Sequence, residues 1–393
     1  MLNITGRLQQ FWQLTKRECH RLATAPIYTF CMVLFPLLVI FFFTSLMQEG
    51  LPNKLPAGVV DLDNTPTTRA LVRNLDSYQT TNIVNHYANI NEARRAVQRG
   101  EIYAFYYIPK QTTDKLLSAR QPKVSFYVSY GTLMPGALLY RDMRTISTLV
   151  SSKVTMTTMQ MKGLPDEQIT ALLQPIKIDT HPTNNPWVNY NIYLSNTIVP
   201  GCIMLFILLV TTYSIGTELK FKTSKLWMKM AGNNIYMAMT SKMLPQTIVF
   251  LLITFFYQWY FFQYLHFPHQ CSFGAIMVAG TVMVLSCQAF GIFMFGLFPS
   301  LRMSMSMCAL WSVLSFSISG FAFPVPSMDP AIQALSWLFP LRSYFMIYQM
   351  QILNGYPVAY EWPYYGMLAI FIVLPFLVFP NLKKVMLKYV YIS

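Results

Sequence analysis

Six apolar runs, each close to the roughly 20 residues a helix needs to cross the hydrocarbon core of a bilayer, constrain this chain more than any other feature. They read as Ile27–Met47, Ile192–Ile215, Leu244–Leu265, Phe273–Phe298, Met303–Phe323 and Tyr364–Pro380. Pro36 interrupts the first, and only Pro299, Ser300, Leu301 and Arg302 separate the fourth from the fifth. Backbone in hydrocarbon must satisfy its own hydrogen bonds, so runs of this length are expected as helices. With 11% charged residues and a mean hydropathy of +0.38, the chain reads as a polytopic α-helical membrane protein. The first run starts late, is long and lacks a small-residue cleavage site, so it is expected to stay as a span rather than be removed as a signal peptide.

Basic residues set the expected orientation. Arg7, Lys16, Arg17 and Arg21 precede the first run. Lys220, Lys222, Lys225, Lys229 and Lys242 lie between the second and third, Arg302 sits in the tight hairpin, and Lys383, Lys384 and Lys388 follow the last. Only Glu18 and Glu218 offset them, so these segments hold most of the net charge of +14. In a six-span arrangement they share one side, which the positive-inside rule makes cytoplasmic together with both termini. The positive balance therefore reads as topology and not as nucleic-acid binding.

The other side receives one large insert, 48–190. Its pattern is α/β: a strand at Ala57–Asp61, a helix opened by Thr65-Pro66 and running to Leu75, a strand at Thr81–Tyr87, and a helix capped by Asn91 and ended by Gly100. Strands at Ile102–Ile108 and Lys123–Tyr130 follow. Leu139, Met143, Ile146, Val150, Val154 and Met161 then mark one stripe of a long helix. The expected plan is thus an interfacial helix over 1–26, a first span over 27–47, an extracytoplasmic α/β domain over 48–190, and five more spans over 191–393. In the interfacial helix Ile4, Leu8, Phe11, Trp12, Thr15, Cys19 and Leu22 form a lipid-facing stripe opposite the basic and amide residues.

Two segments stand out as candidate functional elements. Beyond the fifth run, Ser319, Gly320, Phe321, Phe323 and Pro324 open a Pro-rich turn, and Asp329 with Pro330 predicts the start of a short helix stopped by Pro340. Apolar, aromatic backbone here fits a re-entrant external segment over 324–345 that gates or lines a pathway; a plain tight turn between two spans is the alternative. The second segment is the loop 216–243. Glu218 is its only acid. Thr223, Leu226, Trp227 and Met230 form an apolar stripe on a short helix, Lys222, Lys225 and Lys229 point elsewhere, and Gly232 ends it. Such a helix suits a groove on another protein, with anionic lipid as the alternative contact.

Signals of chemistry are sparse. No phosphate-cradling loop, zinc-protease motif or nucleophile elbow occurs. Asp61-Leu62-Asp63 follows a strand and reads as a turn rather than a metal site, and His266 and His269 bracket Pro268 without further ligands. The six cysteines avoid the insert, which leaves it without disulfides. An intramembrane enzyme would need charged or nucleophilic groups within the runs, and none is arranged for it. A membrane-bound sensor with an external ligand-binding domain remains the rival class.

Several stretches together resemble the ABC-2 type transporter permease family: Lys16-Arg17-Glu18 through Ala25-Pro26-Ile27-Tyr28 to Phe35-Pro36, the Glu218 loop to Lys242, and Ser319 to Pro324 with Phe339-Pro340-Leu341-Arg342-Ser343-Tyr344. One span, a large external domain and five further spans also resemble that order. After Glu218 the chain departs from the family pattern, reading Leu219-Lys220-Phe221-Lys222-Thr223-Ser224. The resemblance implies an exporter membrane subunit in a bacterial inner membrane that dimerises with a second copy or a paralogue. A separate cytoplasmic ATPase subunit would bind ATP and Mg, this chain holding no cofactor, and a periplasmic adaptor could receive cargo. It assigns ATPase coupling to Glu218, Lys220, Leu226, Trp227 and Lys242, with Glu218 braced by Lys242 or by a basic residue of the N-terminal helix. It places a pathway between two copies along the second and fifth spans, where Ser304, Ser306, Ser312, Ser315, Ser317 and Ser319 allow close packing. The uncharged middle of the spans favours an amphipathic, lipid-like or drug-like cargo.

Overall fold

A computed structural model describes residues 4–118, 120–176, 178–181 and 183–388. Six helices are long and apolar enough to cross a membrane: Pro26–Leu46, Tyr190–Lys220, Ile235–Tyr264, Phe273–Leu297, Leu301–Ile318 and Trp362–Lys388, numbered here as the first to sixth spans. Two of them run well past the apolar boundaries. The second continues to Lys220 and the third begins at Ile235, so Glu218 and Lys242 stand inside helices and not in a loop. Hydropathy marks where the apolar core ends, whereas helix ends follow capping: Asn234 accepts from the Tyr236 and Met237 amides and starts the third span there. Between them lies a short helix, Ser224–Met230.

The chain divides into two compact units, 1–48 with 183–393 and 49–182. In the smaller unit, four strands, β1 (Leu55–Asp61), β2 (Thr81–His86), β3 (Ala104–Ile108) and β4 (Ser125–Val128), lie in the order β2-β1-β3-β4. β1 is parallel to both neighbours, and β4 runs antiparallel to β3. The central β1 is buried almost throughout, as expected for a strand covered on both faces. Leu139, Met143 and Ile146 of the long helix Leu133–Met161 cover one face, and Ala93 and Ala96 the other. The stripe fades beyond Val150, and Met161 is exposed. Thr65 forms a capping box with Thr68 at the head of the helix Pro66–Asp76. The next helix, Ile90–Gln98, is capped by Asn89 rather than Asn91, because it starts one residue before Asn91. Helices Thr112–Leu117 and Asp166–Leu173 lack a clear apolar period and were not expected. Asp63 accepts from the Thr112 and Thr113 amides, so it ties down the head of the first of these.

In the larger unit the fifth span packs closely on the second. A side chain at Gly201 would meet the Phe316 ring, and one at Gly216 would meet Leu301. Ser304, Ser312, Ser315 and Ser319 are buried in this spacing, while Ser306 and Ser317 face outward; the serines therefore divide between two faces instead of lining one. Beyond the fifth span, Asp329 accepts from the Ala331 amide and caps Pro330–Ser336. That helix ends before Pro340, which instead starts another, Pro340–Ile347, continuing as a wide turn through Leu353. Leu341, Tyr344, Ile347 and Ile352 belong to the main core of the unit.

Glu361 precedes the sixth span with no exposed surface, and neither carboxylate oxygen has a hydrogen-bond partner. Burial pushes its carboxyl up to about 7. Cys271 and Tyr365 face it, and neither is a cation. A raised carboxyl contributes stability that is complete below its unfolded value near 4.5 and is lost as pH rises through about 7. We expect Glu361→Gln to remove this dependence: its melting temperature should exceed that of the parent progressively between pH 5 and 8 and match it at pH 4.5. A constant difference across that range would contradict a neutral buried carboxyl.

Candidate functional site

The basic end of the helical unit is built around a buried ion cluster. Helix Ile4–Thr24 lies against the third span, and its inward face is Leu14, Thr15, Glu18 and the half-buried Arg17 and Arg21. The lipid-facing stripe expected there divides accordingly. Leu8, Trp12 and Cys19 are exposed, Phe11, Thr15 and Leu22 turn toward protein, and the Ile4 side chain lies outside the described residues. Arg17 and Arg21 leave the polar face because a buried carboxylate draws them in.

That carboxylate is Glu218. Its Oε1 accepts from Lys242 Nζ at 3.0 Å and from Arg21 Nη1 at 2.6 Å, and Arg17 Nη2 lies 3.0 Å from both oxygens. The Thr223 hydroxyl donates to Oε2. Lys242 also donates to Glu18 Oε2 at 2.8 Å, and Arg21 reaches the Thr217 hydroxyl at 2.5 Å. Glu218 and Lys242 have no exposed side-chain surface and Glu18 has 1%. Three cations thus meet two carboxylates from segments about two hundred residues apart in sequence. Of the residues singled out in the 216–243 segment, Glu218 and Lys242 meet here. Glu18, Arg17 and Arg21 complete the group. The family resemblance implied that Lys242 or a basic residue of the N-terminal helix would brace Glu218; here Lys242, Arg17 and Arg21 all do so, and Glu18 is the member not foreseen.

Trp227 is the main correction. It was expected on an exposed stripe with Leu226, yet it is 0% exposed, packed with Leu14, Ile215, Phe295, Leu382 and Met386. Its ring centroid lies 5.0 Å from Lys242 Nζ, a cation–π contact that adds a third partner to the ammonium. The stripe fails because the helix is only two turns long and apolar packing with the helices around it takes Trp227 and Met228, while Thr223 at its head bonds Glu218. What remains outside is Leu226, 59% exposed, and Phe221, with Lys222, Lys225 and Lys229 around them. Lys220 stays at the surface over the Phe221 ring and does not join the cluster.

At the opposite end, the turn residues are gathered by Arg342. Its Nη1 donates to the Ser319 carbonyl at 2.9 Å. Gly320, at φ 101°, sits so close that any side chain there would strike the guanidinium. The Tyr193 hydroxyl donates to the Phe321 carbonyl, joining this turn to the start of the second span. Phe323 and Pro324 are exposed. The Trp311 indole donates to the Leu338 carbonyl at 3.2 Å and stacks on Phe339. Tyr193 is the residue that sequence reasoning missed, since it stands at the start of the second span; Arg342 lay within the expected 324–345 segment, but its hold on the Ser319 carbonyl was not foreseen.

Six apolar helices, a globular insert after the first, and a charged cluster at one end define a multi-pass membrane protein with no nucleotide loop in its sequence. Residues 26–379 match the family described as ABC-2 family transporter protein, and the chain belongs to it. It is accordingly a membrane subunit of an ABC transporter, a class that works with a partner ATPase. No curated protein matches the chain.

Removing one partner of a buried ion group leaves an uncompensated charge and costs about 3–5 kcal/mol. Lys242→Met should therefore lower the melting temperature of the purified protein sharply, whereas Lys220→Met at the surface should leave it within experimental scatter. Equal, small effects of the two changes would show that the cluster does not hold this end together.

Proposed function

We propose that this chain is the permease of an exporter that carries an amphipathic, lipid-like or drug-like cargo outward, driven by a separate ATPase seated on the basic end of the bundle. The termini and the 221–234 turn lie on the cytoplasmic side in this reading, and the 49–182 unit lies outside, where it gates the exit or passes cargo to an adaptor. The basic residues clustered at one end support that orientation. Two copies, or this chain and a paralogue, enclose the pathway. The lack of charge in the middle of the spans supports a cargo that partitions into lipid. The bacterial inner membrane is the setting implied.

The observation that carries the proposal is the pairing of an exposed surface with a buried lever. Leu226 and Phe221 stand at the surface among lysines. One residue along, Trp227 packs against Lys242, which holds Glu218 of the second span and Glu18 of the N-terminal helix. A push on the short helix thus reaches two elements through one cluster. The docking contact falls to Leu226 and Phe221, while Trp227, Glu218 and Lys242 transmit.

Central apolar anchors lose about 2 kcal/mol or more on truncation, roughly thirtyfold in affinity. Leu226→Asp should then abolish co-purification of the ATPase, and Lys222→Ala should barely alter it. Glu218→Gln should keep the ATPase bound while export falls and ATP hydrolysis loses its response to cargo. Unchanged ATPase recovery in both Leu226→Asp and Phe221→Ser would remove this surface as the docking site. Unchanged export in Glu218→Gln would remove the lever.

A further inference from the structure

Two adjoining grooves flank the start of the first span, and neither has a role in the coupling reading. One, of about 560 Å³, runs along Phe30, Leu34 and Leu37; the other, of about 370 Å³, lies between the first span and Pro245, Ile248 and Val249 of the third. Both fall within the ~300–1,000 Å³ typical of ligand clefts. They share Ala23, Thr29 and Val33, so they form two channels on either side of one ridge. The helix widens to a π turn over Phe30–Leu34, a distortion common where a helix carries a site.

The N-terminal helix that borders these grooves carries a basic and polar face. Cys19 and Ala23 line them, and Lys16, Cys19, His20 and Ala23 follow the i, i+3, i+4, i+7 spacing of one helical face. Lys16 and His20 are exposed on it, with Trp12 exposed one turn earlier, the placement of an interfacial anchor. The only acid of this helix, Glu18, is taken by Lys242. The adjacent cluster holds three cations against two carboxylates. Lys16 is therefore exposed on the helical face of two groove-lining residues, with the one acid of its helix already engaged elsewhere.

We propose that these grooves hold one diacyl anionic phospholipid of the leaflet at the basic end, an acyl chain in each channel and the phosphate against Lys16 and His20. Paired channels fit a two-chain lipid better than a single-chain amphipath, and the uncompensated positive face selects an anionic headgroup over a zwitterionic one. The ligand is a resident lipid and not cargo, so its binding requires neither the ATPase nor ATP. A third apolar groove offers an internal control: lined by Ala369, Ile370 and Leu377 of the sixth span, it includes no basic residue.

The test is native mass spectrometry of the purified full-length protein after incorporation into mixed phosphatidylglycerol and phosphatidylcholine nanodiscs. The parent should retain phosphatidylglycerol in preference to phosphatidylcholine. Lys16→Gln should lower that preference about fivefold, the contribution expected of one lysine at a membrane surface. Ala23→Trp fills the shared ridge from an exposed position and should abolish retention, whereas Ala369→Trp should not change it. Equal retention of the two lipids by the parent, no retained lipid at all, or equal losses in Ala23→Trp and Ala369→Trp would each overturn the proposal. A preference that survives Lys16→Gln unchanged would overturn the assignment of the headgroup site.

Discussion

The ammonium of Lys242 has no contact with solvent, and the basic end of the bundle is arranged around that fact. A buried cation is tolerated only with close, well-oriented partners. Here they come from three places: Glu18 on the N-terminal helix, Glu218 at the end of the second span, and the Trp227 ring from the short helix between the second and third spans. Each contact fixes a relation that apolar packing alone leaves free. A helix lying along a bilayer can slide or roll at little cost, since one lipid-facing surface resembles another. One that must place Glu18 on Lys242, and Arg17 and Arg21 on Glu218, has one register and one rotation. The cluster therefore specifies geometry more than it adds stability, and hydrophobic replacements of similar shape could be as stable without fixing the same arrangement.

The excess of cations over carboxylates has a second consequence. With Glu218 shared among Lys242, Arg17 and Arg21, the three pairs are not equivalent. The arginines are the exposed members, about a quarter accessible, while Lys242 and Glu218 are sealed. Loss of an arginine contact can be made good by water, whereas loss of Lys242 cannot. Movement at this end is accordingly cheapest at the arginines, where the N-terminal helix meets the second span, and dearest at the junction of the second and third spans.

Much of the fold was legible because its signals are periodic. Six long apolar runs, the strand at Ala57–Asp61 and the Thr65-Pro66 helix start are written in spacing and capping chemistry, and the structure contains each. The cluster was legible only in part. Glu218 and Lys242 attracted notice as polar residues beside apolar runs, but the sequence offered no way to know that both helices continue past the hydropathy boundary and carry them indoors. Trp227 was misplaced because a two-turn helix has too few residues for periodicity to choose a face, and packing against residues distant in sequence, Leu14, Phe295 and Leu382 among them, made the choice instead. A basic residue of the N-terminal helix was expected near Glu218 only through the family resemblance; the residues themselves read as the solvated face of a helix beside a membrane and did not say that both Arg17 and Arg21 would turn inward. Long-range pairing of this kind leaves no local trace.

The second span links the two candidate regions directly. It runs unbroken from Tyr190 to Lys220, 31 residues, a length of about 46 Å at 1.5 Å per residue. Near its start Tyr193 holds the Phe321 carbonyl of the turn stapled by Arg342; near its end Thr217 and Glu218 hold the cluster. A helix transmits displacement along its axis with little loss where its hydrogen bonds are continuous. Here Pro200 removes one donor about a third of the way along. From Pro200 to Glu218 the span is buried against the fourth and fifth spans, with Gly216 and Gly291 allowing backbones to approach closely. Most of residues 191–199 are buried as well, so the donor missing at Pro200, and not a difference in packing, is what separates the two portions. A shift imposed at Glu218 therefore meets the most easily bent point of the axis at Pro200 on its way to the residues around Phe321.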